Sequence, residues 1–405
     1  MTVTIEKSTA KGNITIPPSK SYAHRMLIAA ALTHEKTKVS NISLSEDIKA
    51  TINCLKAIGA EISVIKDEAE VYFPENINYL SDCILNCNES GSTLRFLIPI
   101  ALLLNREISF TGEKRLFERP LDIYESICKE SGFTWIKEEN LLTVKGRLKP
   151  QKYYISGNIS SQFITGLMFA LPLLEDDSEI IFTSETESKS YINITADVLN
   201  KFGIKTKISE SGIYIKGNQK YIAKVNPSVP SDHSSAAFFG AFDFLGGDVK
   251  LSGLDENSLQ GDSVWKEYFK KLKNGSPVLS VKNCPDIAPI LMSVSAALNG
   301  ATLTDTKRLK FKESDRAQAM KEELKKLGVE ITVKENEIII PKSVLKKPAE
   351  TLCGHNDHRI VMSLAVLLTL TGGKISDAQA VNKSFPEFWD KLKECGIKFK
   401  KEDDK

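Results

Sequence analysis

Serine, lysine and arginine side chains lie close together in the segment PSKSYAHR, residues 18–25. Prolines end the strand-like segment before it, and Ser19 or Ser21 is expected to cap the apolar helix that follows. Lys20 and Arg25 then place two cations near the start of that helix, where the helix dipole already carries partial positive charge. The segment therefore predicts an anion-binding site, while a solvated basic turn is the alternative for this octapeptide taken alone.

The same arrangement recurs in the chain. Six apolar segments that read as buried helices each open with polar residues, at positions 19–21, 89–92, 160–161, 231–233, 285–286 and 356–358. Capping explains each opening separately. Six polar N-termini with Arg or Lys beside several of them favour a shared anion site, because the common end of parallel buried helices presents unpaired amides and positive dipole ends.

Composition limits the classes of function. The chain has 405 residues, with 54 Lys or Arg against 52 Asp or Glu and a net charge of +2, which argues against a nucleic-acid partner. No apolar run reaches about 18 residues and the N-terminus lacks a signal-peptide core, so we expect a cytoplasmic protein without a membrane partner. Seven scattered cysteines fit a reducing compartment. Cys83 and Cys87 lack a second Cys/His pair at zinc-site spacing, so no metal is expected.

A second pattern repeats at intervals of about seventy residues. In each copy an amphipathic helix ends at a glycine, and two alternating strands around a polar turn follow. The helix-ending glycines are Gly59, Gly132, Gly203, Gly328 and Gly396, with a degraded sixth copy at Gly275. Together with the buried helices, the pattern predicts six units of β-α-β-α-β-β type in an α/β (α+β) protein.

Six units suggest two domains of three. We expect one domain at residues 19–230, and a second at residues 1–18 plus 231–405, in which the N-terminal strand joins the fourth to sixth units. The chain would cross between them near residues 17–20 and 226–232, where prolines are frequent. The fourth unit is expected to be shortened, because almost no chain is left for its hairpin before the fifth unit begins.

Five short segments resemble the signatures of one enzyme family. They are PSKSYAHR (18–25), NESGSTLR (88–95), FKESDR (311–316), NDHR (356–359) and NKSFPEF (382–388). Each is short, but together, in this order and at this spacing, they are specific. On these motifs the whole chain resembles the enolpyruvyl transferases, and among them the 5-enolpyruvylshikimate-3-phosphate synthases.

The resemblance implies a two-domain enolpyruvyl transferase-like fold, with three units around buried parallel helices in each domain, an inside-out α/β barrel. It also implies a reaction of the shikimate pathway, towards chorismate and the aromatic amino acids. The enolpyruvyl group of phosphoenolpyruvate passes to the 5-hydroxyl of shikimate 3-phosphate, and phosphate is released. No metal or organic cofactor is implied. Glyphosate is expected to inhibit, and the protein is expected to be a monomer.

The resemblance further implies roles for individual residues. The catalytic set is Asp286, near the 5-hydroxyl, Glu313, which moves the methylene proton, and Lys20, which touches both substrates. The residues implied for shikimate 3-phosphate are Lys20, Ser21, Arg25, Ser160, Ser161, Gln162, Ser188, Tyr191, Asp286, Arg308 and Lys312. The residues implied for phosphoenolpyruvate are Lys20, Gly91, Arg119, Gln162, Arg316, Arg359 and Lys383.

Several of these residues also have a purely structural interpretation. Ser160, Ser161 and Asp286 stand at the start of apolar helices and could serve only as N-caps. Glu313 could be an ordinary first-turn carboxylate. Arg95, on an otherwise apolar helix, is interpreted as structural.

Three other functions compete with this one. The sister enzyme, UDP-N-acetylglucosamine enolpyruvyl transferase, carries a reactive cysteine on a loop, whereas the corresponding segment here, TGEKRLFERP, has none and Cys128 falls on an amphipathic helix. A non-catalytic anion-binding protein would need neither Asp286 nor Glu313. A nucleotide kinase is disfavoured, because the sequence has no G-x-x-x-x-G-K-[ST] loop.

Overall fold

The computed structural model describes residues 1–74, 83–223 and 226–402. The chain divides into two compact units. The middle unit is Pro18–Pro230, and the terminal unit combines Met1–Pro17 with Ser231–Lys405. The ranges expected for the two domains also include residues 75–82, 224–225 and 403–405, which lie outside the described residues.

The elements follow in chain order. The terminal unit begins with β1 (Thr2–Ile5) and β2 (Lys11–Thr15). The middle unit contains α1 (Lys20–Ala31), β3 (Thr37–Val39), α2 (Glu46–Ala57), β4 (Glu61–Ile65), β5 (Glu68–Tyr72), β6 (Cys83–Asn86), α3 (Gly91–Ala101), β7 (Ile108–Thr111), α4 (Lys114–Glu118), α5 (Asp122–Glu130), β8 (Thr134–Lys137), β9 (Leu141–Lys145), β10 (Lys152–Ile155), α6 (Ser161–Ala170), β11 (Ser178–Phe182), α7 (Lys189–Lys201), β12 (Thr206–Ile208) and β13 (Gly212–Ile215).

The terminal unit then continues with α8 (His233–Phe244), β14 (Asp248–Ser252), α9 (Trp265–Asn274), β15 (Val278–Ser280), α10 (Ala288–Ala297), β16 (Ala301–Thr304), α11 (Arg316–Lys326), β17 (Thr332–Val333), β18 (Glu337–Ile340), α12 (His358–Thr371), β19 (Gly373–Ile375), α13 (Phe388–Glu394) and β20 (Phe399–Glu402). Short 3₁₀ turns lie at Leu171–Leu173, Gly261–Val264, Pro285–Ile287, Lys307–Phe311 and Ala378–Lys383.

The helix–glycine–strand pattern is confirmed at five positions. Helices α2, α5, α7, α11 and α13 are each followed within two residues by a glycine with positive φ, at Gly59, Gly132, Gly203, Gly328 and Gly396. A left-handed residue after the last helical turn lets the chain reverse into a strand, and glycine adopts it without a Cβ clash. Gly275 differs, since its φ of 163° is extended backbone.

Three sheets belong to each unit. In the middle unit their strand orders are β3-β5-β4, β6-β7-β9-β8 and β10-β11-β13-β12. In the terminal unit the orders are β14-β2, β15-β16-β18-β17 and β19-β1-β20. The fourth repeat is therefore shortened, because its sheet holds only β14 and the parallel strand β2. Its expected hairpin is absent among the described residues, and β15 joins the next sheet instead.

Each core is built on helices that are buried on nearly every face. In the middle unit these are α1, α3 and α6, and in the terminal unit α8, α10 and α12. Their sequences are apolar all round, so they must be enclosed by the sheets and amphipathic helices of their own unit. Burying one Leu, Ile or Phe contributes about 1.5–3 kcal/mol, which makes these helices a rigid support for the residues at their N-termini.

Most of the expected caps form, but Ser19 is an exception. The side chains of Ser90, Ser160, Asp232 and Asp357 accept amide hydrogen bonds at the starts of α3, α6, α8 and α12. Ser19 occupies the N-cap position of α1, yet its side chain makes no capping bond. Its own N–H donates to the Pro230 carbonyl at 2.7 Å, which fixes the backbone here by a long-range contact.

In the described ranges, every helix is too short or too polar to cross a bilayer.

Candidate active site

In the middle unit, the first turn of α1 holds a lysine against an aspartate. Lys20 Nζ lies 2.6 Å from Asp47 Oδ2, and both side chains are mostly buried. Asp47 stands in the first turn of α2, where the helix dipole also stabilises a carboxylate. The sequence analysis did not identify Asp47, because an acidic residue at a helix start is common for that reason alone.

One and a half turns further along α1, Arg25 is fully enclosed by neutral groups. Its guanidinium donates to Thr195 Oγ1 at 2.8 Å, to Thr165 Oγ1 at 3.2 Å, and to the carbonyls of Ser21 and Tyr191 at 2.8 and 3.3 Å. No carboxylate of the described residues forms an ion pair with Arg25. Burial lowers the pKa of Arg25 to about 10. The arginine stays charged at neutral pH, and its charge is not compensated by its hydrogen-bond partners.

The serines expected to bind phosphate stand at two further helix starts of this unit. Ser160 accepts from the Gln162 amide as the N-cap of α6, and Ser161 is the first residue of that helix. Ser188 precedes α7 in a left-handed conformation, with φ 58° and ψ 39°, and is buried. A non-glycine residue in this region is uncommon, and such backbone often occurs at functional sites. Tyr191 follows in the first turn of α7.

A second group in the middle unit surrounds the N-terminus of α3. A Cβ added to Gly91 would lie 2.7 Å from Arg119 Nη1 and 2.8 Å from Arg95 Nη1, so both guanidinium groups approach the glycine closely. Arg95 also donates to Gln162 Oε1 at 3.1 Å, and Gln162 donates to Ser92 Oγ at 3.0 Å. Arg95 was interpreted as structural, but its guanidinium end belongs to this polar group.

In the terminal unit, the central residue is Arg316, at the start of α11. It is 1% exposed and donates to Asp357, Asp286 and Glu313 at 2.9, 2.9 and 2.8 Å. Glu313 is therefore part of a larger ion-pair cluster rather than an ordinary first-turn carboxylate. Opposing charges outweigh the loss of hydration, so the pKa of Arg316 is raised.

Asp286 joins the same cluster from the 3₁₀ turn Pro285–Ile287. The N-cap position of α10 is Ile287; Asp286 accepts from Lys312 Nζ at 3.0 Å and lies 4.0 Å from Arg359. Burial alone would raise the pKa of Asp286, but Lys312, Arg316 and Arg359 together hold it well below its usual range. Burial lowers the pKa of Lys312, and Asp286 partly offsets this effect. Asp286 is thus an ionised carboxylate among cations.

The start of α12 supplies the remaining cations of this cluster. Asp357 caps the helix by accepting from the Arg359 amide at 2.8 Å, and it also binds Arg316. Within the described residues, Nε and Nη1 of Arg359 are buried without a hydrogen-bond partner. Lys383 donates to the Asn356 carbonyl. The buried, unpartnered donors of Arg359 are available to bind an anion.

Arg308 lies on the 3₁₀ turn Lys307–Phe311 and donates to the Lys282 carbonyl at 2.8 Å. This bond places Arg308 beside the segment that leads to Asp286.

The two clusters differ in the chemistry that they permit. The middle unit offers Lys20, Arg25, Arg119 and helix N-termini, which suit anion binding. The terminal unit combines cations with the carboxylates of Asp286 and Glu313, which suit proton transfer. Among the described side chains, one set of three lies close enough for a metal, namely Glu322, Glu323 and His355. The Lys326 ammonium already binds both oxygens of Glu323 at 2.9 Å, which disfavours a divalent cation there.

Several residues of these clusters were missed in the sequence. Thr165 lies inside an apolar helical run and Thr195 on the buried face of the amphipathic helix α7, while Asp357 stands within the NDHR motif as an apparent cap. Their partners are 140, 170 and 41 residues away along the chain. A polar residue inside an apolar helix is a usable signal, since a buried hydroxyl requires a partner.

Comparison with known proteins gives independent findings. A family model described as EPSP synthase (3-phosphoshikimate 1-carboxyvinyltransferase) matches residues 5–392. The 3-phosphoshikimate 1-carboxyvinyltransferase of Clostridium novyi (strain NT) is 40% identical, with 97% of each chain covered. The protein of the same name from Clostridium beijerinckii (strain ATCC 51743 / NCIMB 8052) is 41% identical, with 95% of each chain covered.

Solved structures agree on the fold. Two structures of EPSP synthase from Acinetobacter baumannii are similar to this chain, with TM-scores of 0.80 and 0.79 at 24% and 23% identity. The first comparison covers 98% of this chain and 99% of the other, and the second covers 100% of both.

Proposed function

The chain belongs to the EPSP synthase (3-phosphoshikimate 1-carboxyvinyltransferase) family, and from this premise we propose how its residues perform the reaction. The enzyme transfers the enolpyruvyl group of phosphoenolpyruvate to the 5-hydroxyl of shikimate 3-phosphate and releases inorganic phosphate. The reaction belongs to the shikimate pathway. The observation that carries the residue assignment is the shared ion-pair cluster of Asp286, Glu313 and Arg316.

Residues of the middle unit bind shikimate 3-phosphate in this proposal. Ser21 and Arg25 hold the carboxylate end of the ring, and Lys20 touches both substrates. Ser160, Ser161 and Ser188 cradle the phosphate, while Gln162 and Tyr191 lie beside the ring. The uncompensated charge of Arg25 and the amides at the starts of α6 and α7 support this assignment. Lys312 and Arg308 are also assigned to this substrate, to which they would add positive charge.

Residues of the terminal unit handle the protons. Glu313 delivers a proton to C3 of phosphoenolpyruvate, and Asp286 assists the 5-hydroxyl as it attacks C2. The resulting tetrahedral intermediate returns a C3 proton to the Glu313 carboxylate, and the C2–O bond to phosphate breaks, which restores the double bond and releases phosphate. The depressed pKa of Asp286 supports its role as an ionised base beside the hydroxyl.

The cations proposed to hold phosphoenolpyruvate are Arg119, Arg316, Arg359 and Lys383. Gly91 and Gln162 complete the proposed set. The unpartnered donors of Arg359 support this assignment, since a phosphate or carboxylate oxygen would satisfy them.

We also propose that glyphosate competes for the phosphoenolpyruvate residues and that the protein works as a cytoplasmic monomer. The seven cysteines, all in the described part of the chain, are free, which suits a reducing compartment. We further propose that the two units are the two functional domains, each with three repeats.

The sister reaction, with UDP-N-acetylglucosamine as acceptor, is the second candidate. Its reactive cysteine has no equivalent in this proposal: burial raises the pKa of Cys128 to about 12, so its thiol stays protonated and inert at neutral pH.

Phosphate release from phosphoenolpyruvate tests the proposal. Release should require shikimate 3-phosphate and should not occur with UDP-N-acetylglucosamine or with phosphoenolpyruvate alone. Release that occurs only with the sugar nucleotide would overturn it.

A further inference from the structure

The turn at residues 353–357, just before α12, is held by a side chain of another helix. Glu323 of α11 is 1% exposed. One carboxylate oxygen accepts from the Cys353 amide at 2.8 Å, and the other lies 3.1 Å from His355 Nε2. Glu323 therefore contacts the turn on both sides of Gly354.

The backbone of this turn is in a conformation that needs such support. His355 and Asn356 both have positive φ, at 49° and 48°. A Cβ on Gly354 would lie 2.6 Å from the Ser376 carbonyl, so the turn is also tightly packed. Two successive non-glycine residues in the left-handed region persist only where surrounding contacts hold them.

This turn also fixes residues of the terminal-unit cluster. The Asn356 carbonyl accepts from Lys383 Nζ. The next residue, Asp357, accepts from Arg316 and from the Arg359 amide. A shift of the turn would therefore displace the cations assigned to phosphoenolpyruvate.

We propose that Glu323 and His355 are positioning residues, which fix this turn and thereby the placement of Lys383 and Arg359. The inference rests on the proposed function where it names phosphoenolpyruvate. Glu323 and His355 touch neither substrate in that proposal, so they act only through the turn.

The pair also gives the turn a pH dependence. The hydrogen bond to Glu323 raises the pKa of His355. Glu322 lies 4.0 Å from the same ring nitrogen, and Lys326 opposes the shift. From the other elements, Asp377 accepts from the Cys353 thiol and from the Asn356 amide. Asp357, in the turn itself, is paired with Arg316. As pH rises through the raised pKa of His355, the ring loses its proton and one of its two donors, and the pairing with Glu323 weakens.

The experiment compares Glu323→Gln and His355→Gln with Glu322→Gln, a matched control on the same helix. Hydrogen exchange of the amides of residues 355–360 is measured for each folded protein, together with kcat and KM for phosphoenolpyruvate from pH 6 to 9. We expect exchange in this segment to accelerate about 10-fold or more in both test variants, because opening becomes easier. KM for phosphoenolpyruvate should rise roughly 10-fold with kcat changed less than about 3-fold.

Wild type should lose affinity for phosphoenolpyruvate at the alkaline end more steeply than His355→Gln. Glu322→Gln keeps the His355–Glu323 pair and should show the same loss as wild type, but at lower pH, because Glu322 also raises the pKa of His355. Unchanged exchange and unchanged KM in His355→Gln would overturn the inference, even if Glu323→Gln fails to fold. Hydrogen exchange needs no turnover, so an inactive wild type would refute the proposed function while the exchange result still decides the positioning role.

Discussion

Arg25 in the middle unit and Arg316 in the terminal unit are both almost fully buried, but their surroundings are opposite. Arg25 donates to threonine hydroxyls and backbone carbonyls, with no carboxylate partner among the described residues. Arg316 donates to three carboxylates. Burial accordingly lowers the pKa of Arg25 to about 10, whereas the carboxylates raise that of Arg316.

The difference separates two uses of a buried cation. A charge held by neutral dipoles keeps most of its field and attracts an anion from solution. A charge inside an ion-pair cluster is compensated, and its main effect is to set the ionisation and orientation of its neighbours. We therefore associate the first arginine with substrate binding and the second with the organisation of the proton-transfer groups.

The largest expected effect comes from removing each arginine in turn. Arg316→Leu leaves Asp286, Glu313 and Asp357 buried without their shared partner, and should lower the free energy of unfolding by about 3–5 kcal/mol. Arg25→Leu removes an uncompensated charge and should cost roughly 1 kcal/mol or less. Denaturant unfolding measures the free energy of unfolding of both variants. Equal decreases in the two would contradict the proposed difference between the two arginines.

A pH-dependent effect of intermediate size is expected at Asp262. This buried carboxyl, on the 3₁₀ turn beside α8, accepts from Ser234. Burial, with a further contribution from Asp286, raises its pKa to about 7. The folded state thus holds this proton more tightly than the unfolded chain, where the pKa is about 3.9. Its stabilising contribution is complete below that pH and is lost as pH rises through about 7.

Asp262→Asn should therefore reduce the fall in melting temperature between pH 5 and pH 8 relative to wild type. Calorimetry at several pH values measures this, with the exposed Asp248→Asn as control. An unchanged pH dependence of the melting temperature in Asp262→Asn would show that the surroundings of Asp262 do not raise its pKa.

The smallest effect is expected at Gly91. A methyl group there would push against the flexible ends of Arg119 and Arg95 rather than against backbone. Gly91→Ala should fold, and it should raise KM for phosphoenolpyruvate about 3- to 10-fold and weaken glyphosate more strongly. Gly275→Ala, which has no atom within 4 Å of the added carbon, is the matched control. Steady-state kinetics with and without glyphosate measure both effects. If the affinities for substrate and inhibitor fall equally, Gly91 serves only the turn.

The fold was largely predictable because its repeat is local. Glycines such as Gly132 end amphipathic helices, and hairpins follow within a few residues, so sequence pattern alone identifies the unit. The capping prediction for Ser19 was wrong, because a hydrogen bond to the distant Pro230 carbonyl determines that backbone.

Site residues were predictable where they lie together in one motif. They were not predictable where their hydrogen-bond partners lie far away in the sequence. Glu313 and Arg316 lie in one motif and are joined in the structure. Asp47 pairs with Lys20 across 27 residues, and no local pattern distinguishes it from an ordinary helix-start acid. The contact of Arg95 with Gln162 was not predictable for a similar reason, since it spans 67 residues.

The division between binding and proton transfer is tested most directly by measuring two variants side by side. The affinity for shikimate 3-phosphate and kcat at saturation are determined for Arg25→Ala and Glu313→Gln, with Arg147→Ala and Glu330→Gln as exposed controls. We predict that Arg25→Ala weakens binding about 10- to 100-fold, since hydrogen bonds to charged groups contribute about 1.5–3 kcal/mol, and that high salt reduces this difference. Glu313→Gln should bind normally and lose about 10²- to 10⁴-fold in kcat. Loss of kcat without loss of affinity in Arg25→Ala, or loss of affinity with normal kcat in Glu313→Gln, would contradict the account.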